Sequence, residues 1–259
     1  MIPRVLIVAG SDSGGGAGIQ ADIKTVTMLG GHAMTAITAI TAQNTVGVQA
    51  VHPVPTDGVV AQMRSVIDDL GVDAVKIGMI GSAATAHAVA DVLGDLFVPI
   101  VFDPVMVATS GSVLADAATI GAFERLMRLA AVVTPNLPEL AALGGEAAVR
   151  AGGAALLVKG GHGEGAIVED RLVAADGGET LWTHPRIDTR HSHGTGCTLA
   201  SAIATGLAAG LPLADAVGRA IAYVQAALAA APGLGAGHGP MGHALGRVPF
   251  DDWTAACPD

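Results

Sequence analysis

The chain has 259 residues, of which 51% are hydrophobic, 14% charged and only 3% aromatic, and it carries a net charge of −10. That length is enough to bury one large core, so residues 1–259 read as a single domain, and the acidic balance with no basic run excludes nucleic acid or an anionic membrane as a general partner. A core this poor in aromatics must be built from Ala, Val, Ile and Leu, which suits helices packed on a parallel sheet better than a β-sandwich.

Val5-Leu6-Ile7-Val8-Ala9 is a buried-strand run ending in the glycine loop Gly10-Ser11-Asp12-Ser13-Gly14-Gly15-Gly16-Ala17-Gly18. Ile19, Ile23 and Val26 then mark an amphipathic helix that stops near Gly30-Gly31. This βα unit is not a dinucleotide fingerprint. Gly16-Ala17-Gly18-Ile19-Gln20-Ala21 fits the loose pattern, but no acid occurs between Asp22 and Asp57 to hold a ribose, and no Gly-Lys-Ser/Thr forms a Walker loop.

Residues 33–42 alternate as a strand and deliver Gln43-Asn44 to its end. Thr56 is placed to cap a helix whose apolar face is Val59, Met63, Val66, Ile67 and Leu70. Four more short runs follow. Residues 74–77 end at Gly78-Met79, 100–102 at Asp103-Pro104, 131–133 at Thr134-Pro135-Asn136, and 155–158 at Lys159-Gly160-Gly161. Helical stretches such as 115–130 separate them, and the alternation predicts a parallel sheet with crossover helices. Ligands of such sheets bind beyond the carboxyl ends of the strands. Asp12, Gln43, Asp103, Asn136 and Lys159 all stand at those ends, so residues far apart in sequence are expected on one rim. Residues 167–182 read as antiparallel edge strands, and 198–231 as helix broken at Gly210-Leu211-Pro212.

The chemistry centres on residues 188–201. Gly194-Thr195-Gly196-Cys197 leads into an Ala-rich helix, and glycines at a helix start leave backbone N–H groups free to meet an anion at the positive dipole end. A glycine loop with a small buried Cys as filler is the alternative. Lys159 is one of only three lysines, with Lys24 and Lys76, and at the ligand rim of an acidic chain it suits a phosphate clamp. Asp103 before Pro104 fits a turn cap or a ligand-site carboxylate. Asn136 and Glu139, three apart at a helix start, fit either a capping pair or a phosphate–Mg²⁺ mount. The side-chain amide of Gln43 offers a donor and an acceptor side by side, as an aminopyrimidine edge requires, or it saturates a strand end. His191 and His193 lack further ligands at zinc spacing and read as loop filling.

Two cysteines, Cys197 and Cys257, make no disulfide framework and fit a reducing compartment. The apolar run after Arg4 is too short for a signal peptide, and the uncharged stretches 25–56 and 191–214 are broken by Gly, His and amide side chains, so a cytoplasmic protein is expected.

Several motifs together carry a resemblance: residues 9–22, Thr41-Ala42-Gln43-Asn44-Thr45, Lys76-Ile77-Gly78-Met79, Asp103-Pro104-Val105-Met106, residues 134–139, residues 158–162, residues 193–199 and Gly237-His238-Gly239-Pro240. In this order they resemble the bacterial hydroxymethylpyrimidine/phosphomethylpyrimidine kinases of thiamine biosynthesis, in the ribokinase-like superfamily. The resemblance implies a three-layer αβα fold with a mainly parallel central sheet. It also implies ATP-dependent phosphorylation of 4-amino-5-hydroxymethyl-2-methylpyrimidine, and of its monophosphate, by a cytoplasmic homodimer. Gln43 would bind the pyrimidine, with Gly10, Asp22, Met79 and Val105 lining the pocket. Asp103 and Glu139 would organise Mg²⁺, while Lys159, Asn136 and Thr195 would hold ATP. Gly194, Thr195 and Gly196 would form the anion hole, and Cys197, as a thiolate or a positioning group, would lie at the reacting hydroxyl. Residues 105–112 resemble the family's flap. Arg190-His191-Ser192 and Ser13-Gly14 depart from the usual pattern beside the site. A pyridoxal-type kinase and a non-catalytic pyrimidine sensor are the competing readings, the second opposed by the intact phosphate residues.

Overall fold

A computed structural model describes residues 1–108, 111–163 and 165–248. Nine strands form one sheet: β1 (Arg4–Asp12), β2 (His32–Gln43), β3 (Val48–Pro53), β4 (Ala74–Ile77), β5 (Ile100–Phe102), β6 (Val132–Val133), β7 (Ala155–Val158), β8 (Ile167–Val173) and β9 (Glu179–Pro185). Their spatial order is β3-β2-β1-β4-β5-β6-β7-β8-β9. The six strands from β2 to β7 pair in parallel, and β3, β8 and β9 add antiparallel edges. The chain steps from β1 outward to β2 and later returns to β1's other side as β4, so the order reverses at β1. Crevices at such reversals are where open α/β sheets bind ligands.

Both faces of β1 are covered. Val5, Ile7 and Ala9 point into one apolar cluster and Leu6 and Val8 into the other, and all five are essentially inaccessible. The first cluster packs under α1 (Gly18–Met28), α7 (Thr195–Ala208) and α8 (Leu213–Ala229), and the second under α2 (Thr56–Leu70), α3 (Ala83–Leu93) and α4 (Ala117–Leu129). Two short helices, α5 (Leu137–Ala142) and α6 (Glu146–Arg150), lie between β6 and β7. Small side chains do the close packing on the first face. A Cβ on Gly206 of α7 would come within 2.9 Å of Ala216 Cβ on α8. On the second face two aromatics pack together, Phe102 and Phe123 meeting edge to face at 5.2 Å.

Three local expectations need correction. Pro55, not Thr56, occupies the cap position of α2, and the Thr56 hydroxyl instead meets Thr85 Oγ1 at 3.0 Å. On α1 the buried stripe runs through Ile19, Asp22, Thr25 and Val26, while Ile23 is exposed. Strand β3 was not anticipated, because its residues are mostly exposed and lack an apolar alternation.

Candidate active site

A cavity of about 1050 Å³ opens over the carboxyl ends of the strands. Its lining includes Gly10, Asp12, Gln43, Met79, Asp103, Val105, Asn136, Glu139, Lys159, Thr195, Gly196 and Cys197. The strand-end residues read from the sequence therefore share one chamber. It is large enough for two small ligands end to end, since ordinary ligand sites occupy roughly 300–1,000 Å³.

At one end sits the glycine loop after β1. Asp12 organises it: Oδ1 accepts from Gly14 N at 2.8 Å, and Oδ2 from Gly16 N at 3.0 Å and Ala17 N at 2.8 Å. The same Oδ2 lies 2.9 Å from His193 Nε2. Burial alone would raise the Asp12 carboxyl, but the His193 bond and the backbone donors outweigh it and hold the group below its ordinary value. His193 Nε2 is also 3.1 Å from the side-chain amide of Gln43. The ring rests on Gly16, where a Cβ would come within 2.5 Å of His193 Cδ2. Met79 covers Gly10 in the same way, its Cε 3.0 Å from where a Cβ would stand.

The C-terminal motif straps this end together. His193 N donates to Gly239 O at 3.2 Å, and His238 N donates to Thr45 O at 2.9 Å. A Cβ on Gly237 would overlap Thr45 O, so the strap lies flat on the segment that carries Gln43.

At the other end Lys159 Nζ meets Asp103 Oδ1 at 2.9 Å, and Thr134 Oγ1 donates to the same oxygen at 3.2 Å. Burial would lower the Lys159 ammonium, but the charges of Asp103 and Glu139 hold it above its ordinary value. Glu139 is pushed up by burial, drawn down by Lys159 and pushed up again by Asp103. Asn136 and Glu139 do form the capping box: Glu139 N donates to Asn136 Oδ1 and Asn136 N to Glu139 Oε2, each at 2.8 Å. They cap α5 and line the cavity at once. Gly196 faces this group, since a Cβ there would stand 3.4 Å from both Asp103 Oδ2 and Lys159 Nζ.

Helix α7 begins between the two ends. Gly194 is its cap, at φ +88°, and a Cβ there would stand 1.9 Å from Gly16 O. Only glycine fits. Thr195, Gly196 and Cys197 form the first turn, with their backbone donors toward the cavity end of the helix. Of the two readings of Cys197, thiolate or positioning thiol, its surroundings favour the second: burial pushes the thiol up to about 11, and the nearby Lys76 charge only partly opposes this.

Asp22 is the residue that does not reach the cavity. It is wholly buried beneath the floor, where Lys76 Nζ meets its two oxygens at 3.0 and 2.9 Å and Ser201 Oγ donates at 2.7 Å. Burial raises the Asp22 carboxyl, and although burial also works against Lys76, the Asp22 charge holds that lysine well above its ordinary value. The contacts are those of a buried ion pair. Within the segment expected to be a flap, Val105–Ala108 and Gly111 line the cavity, and a β-bridge joins Val107 to Val113. Thr109, Ser110 and Cys257 lie outside the described residues.

Sequence reasoning placed Asp12 on the rim without its part in holding the glycine loop, and missed His193 and Lys76 as parts of this assembly. The signals were there: an acid inside a glycine-rich loop full of free N–H groups, and a lysine in mid-strand between apolar neighbours. Among the described residues no cluster of three or more His, Cys, Asp or Glu suits a metal ion, and no helix is long and apolar enough to cross a membrane.

In comparison with known proteins, the chain is similar to phosphomethylpyrimidine and pyridoxal kinases. Residues 12–242 match the phosphomethylpyrimidine kinase family. A hydroxymethylpyrimidine/phosphomethylpyrimidine kinase from Streptomyces coelicolor is 49% identical, over 95% of this chain and 96% of its own. A Geobacter sulfurreducens thiamine biosynthesis bifunctional protein is 47% identical over 93% of this chain and 52% of its own. Among solved structures, the ADP complex of Bacillus subtilis pyridoxal kinase superposes with a TM-score of 0.87 at 31% identity, covering 96% of this chain and all of that one. The sheet order, with its helices on both faces, is thus the ribokinase-like α/β fold. A match of this extent, over a cavity already lined with an amide, a lysine, carboxylates and a helix N-terminus, means that the chain belongs to the phosphomethylpyrimidine kinase family.

Proposed function

We propose that this chain transfers the γ-phosphoryl group of ATP to the hydroxymethyl group of 4-amino-5-hydroxymethyl-2-methylpyrimidine, and then a second phosphoryl group to the monophosphate, in thiamine biosynthesis. The observation that carries the reading is the single cavity in which Gln43, Lys159 and Cys197 meet.

In this reading the ring lies between Met79, Gly10 and Val105 with its polar edge on Gln43. The hydroxymethyl group points at the first turn of α7. Backbone N–H groups of Thr195 to Cys197, aided by the helix dipole, neutralise charge on the phosphoryl group in transit. Lys159, Asn136 and Thr195 hold the nucleotide phosphates. Phosphoryl transfer asks little of a base, because its transition state is loose and catalysis is mostly positioning and charge neutralisation. A thiol at Cys197 is compatible with that, placing the alcohol without forming a covalent intermediate.

Mg²⁺ fits the residues present. The Asp103 charge raises the cost of ionising Glu139 beside one lysine, and Gly196 leaves open the space a side chain would take beside Asp103. Two carboxylates with water and substrate phosphates are a common Mg²⁺ set. Bound there, the ion would offset phosphate charge. A cytoplasmic homodimer is part of the same reading, supported by the family resemblance and by the chain's sparing use of cysteine.

The test is mass spectrometry of products from the pyrimidine alcohol with MgATP. Mono- and diphosphate in sequence are expected, and ring binding without transfer would instead support the sensor. The similarity to pyridoxal kinases favours one second reading, in which pyridoxal is the better alcohol. Comparing kcat/KM for the two alcohols separates them.

A further inference from the structure

The pinning of Gln43 bears on what it can recognise. The oxygen and nitrogen of a carboxamide are isosteric, so neighbouring groups decide which faces where. As placed, Gln43 Nε2 lies 3.1 Å from His193 Nε2, and Gln43 Oε1 lies 3.1 Å from Thr41 Oγ1. His193 Nε2 sits 2.9 Å from an Asp12 oxygen that also receives two backbone N–H groups. A ring nitrogen facing that carboxylate carries a proton, and a protonated ring nitrogen has no lone pair with which to accept from Gln43, so only an acceptor can share that side. Thr41 has a single hydroxyl proton, and the Ser11 carbonyl at 2.8 Å takes it. Toward Gln43 the hydroxyl is then an acceptor. Both neighbours demand the same arrangement, with amide oxygen on His193 and amide NH₂ on Thr41. The opposite assignment, with Nε2 toward His193 and Oε1 toward Thr41 as the atoms are placed, sets N–H against N–H and lone pair against lone pair, so the amide belongs turned over about its last bond. Thr41 is buried and His193 nearly so, so water cannot easily supply the missing partners.

We propose that His193, with Thr41, is a specificity-determining positioning residue: it fixes the polarity of the Gln43 amide so that the site accepts a 4-aminopyrimidine edge and rejects the 4-oxo edge. An aminopyrimidine presents an exocyclic N–H donor beside a ring-nitrogen acceptor. The 4-oxo compound presents a carbonyl acceptor beside a ring N–H donor. A freely rotating glutamine would read either by turning over, whereas a pinned one reads only the first. The inference rests on Gln43 as the pyrimidine contact.

The experiment compares kcat/KM for 4-amino-5-hydroxymethyl-2-methylpyrimidine and its 4-oxo analogue in wild type, His193→Phe, His193→Gln, Thr41→Val and Gln43→Ala, with KM for ATP as control. Wild type should prefer the amino compound by at least ~100-fold, since sites that pair a substrate's polar groups discriminate strongly. His193→Phe and Thr41→Val should each cut that ratio at least ~10-fold while moving the ATP KM by less than about two-fold. His193→Gln, which restores an N–H donor, should keep the ratio. In a Gln43→Ala background the ratio should already be low, and His193→Phe should change it no further, because the two act as one unit. An unchanged ratio in both His193→Phe and Thr41→Val, or an equal further drop in the Gln43→Ala background, overturns the inference. If Gln43→Ala leaves the pyrimidine KM unchanged, the underlying assignment of Gln43 falls with it. Should His193→Phe not fold, His193→Gln and Thr41→Val decide the matter.

Discussion

Cys197 offers the sharpest chemical test. Its thiol is pushed up to about 11 from an ordinary value of 9.0. At pH 7.5 that leaves roughly one molecule in 3,000 as thiolate, against one in about 30 for an unperturbed thiol, and drawing on the thiolate would add about 5 kcal/mol to the barrier. A thiolate of higher pKa is intrinsically more nucleophilic, which returns about ten-fold of the hundred-fold deficit. Iodoacetamide should therefore label Cys197 about ten-fold more slowly at pH 7.5 than it labels a peptide cysteine, followed by site-resolved mass spectrometry. The labelling rate should climb past pH 9 without levelling near neutrality. If the group acts as a thiol, kcat carries no Cys197 ionisation between pH 7 and 9, Cys197→Ser keeps turnover within about ten-fold, and Cys197→Ala loses about ten- to a hundred-fold. A kcat that rises with unit slope through this range in wild type, and flattens in Cys197→Ser, would refute the reasoning. So would a trapped phospho-cysteine.

Three further outcomes are expected. His243 is buried, and desolvation lowers its pKa from 6.5 to about 4. The unfolded chain thus takes up this proton first as pH falls, so the stability linked to His243 is complete above about pH 6.5 and is lost toward pH 4. The loss is on the order of 3 kcal/mol, and denaturant titrations of wild type and His243→Gln should diverge across that window. Lys76→Met leaves Asp22 buried without its cation, which should cost about 3–5 kcal/mol and lower the melting temperature, whereas adding Asp22→Leu should recover much of it; equal melting of the single and double variants would contradict a buried ion pair. Gly194→Ala forces φ +88° on a residue with a Cβ and drives that atom into Gly16 O. The backbone strain alone is about 2 kcal/mol, and kcat/KM should fall far more than thermal stability does, as paired kinetics and calorimetry would show.

Much of the fold was legible because a doubly covered parallel sheet leaves continuous apolar strands between helical patterns, as at 5–9 and 155–158. The rim residues were legible for a related reason: a polar residue that directly follows such a run has nowhere to go but the strand's end. The illegible parts depend on partners distant in sequence. Asp22 looks like a pocket residue until Lys76, 54 positions away, is seen holding it under the floor. His193 looks like loop filling until Asp12 arrives from 181 positions back. The Cys197 ionisation follows from burial, which no local spacing reveals. Strand β3 escaped because an exposed edge strand needs no apolar pattern.

The strap formed by Gly237 to Pro240 sets an order of events during synthesis on the ribosome. Gln43 emerges early in translation, yet the segments that clasp it, His193 and the 237–240 turn, emerge about 150 and 200 residues later. The whole sheet, residues 4–185, can pair before then, but the Gln43 end of the cavity closes only once residues 237–240 have left the exit tunnel. A nascent chain stalled before residue 237 would therefore carry most of a kinase framework and no finished mouth to feed it.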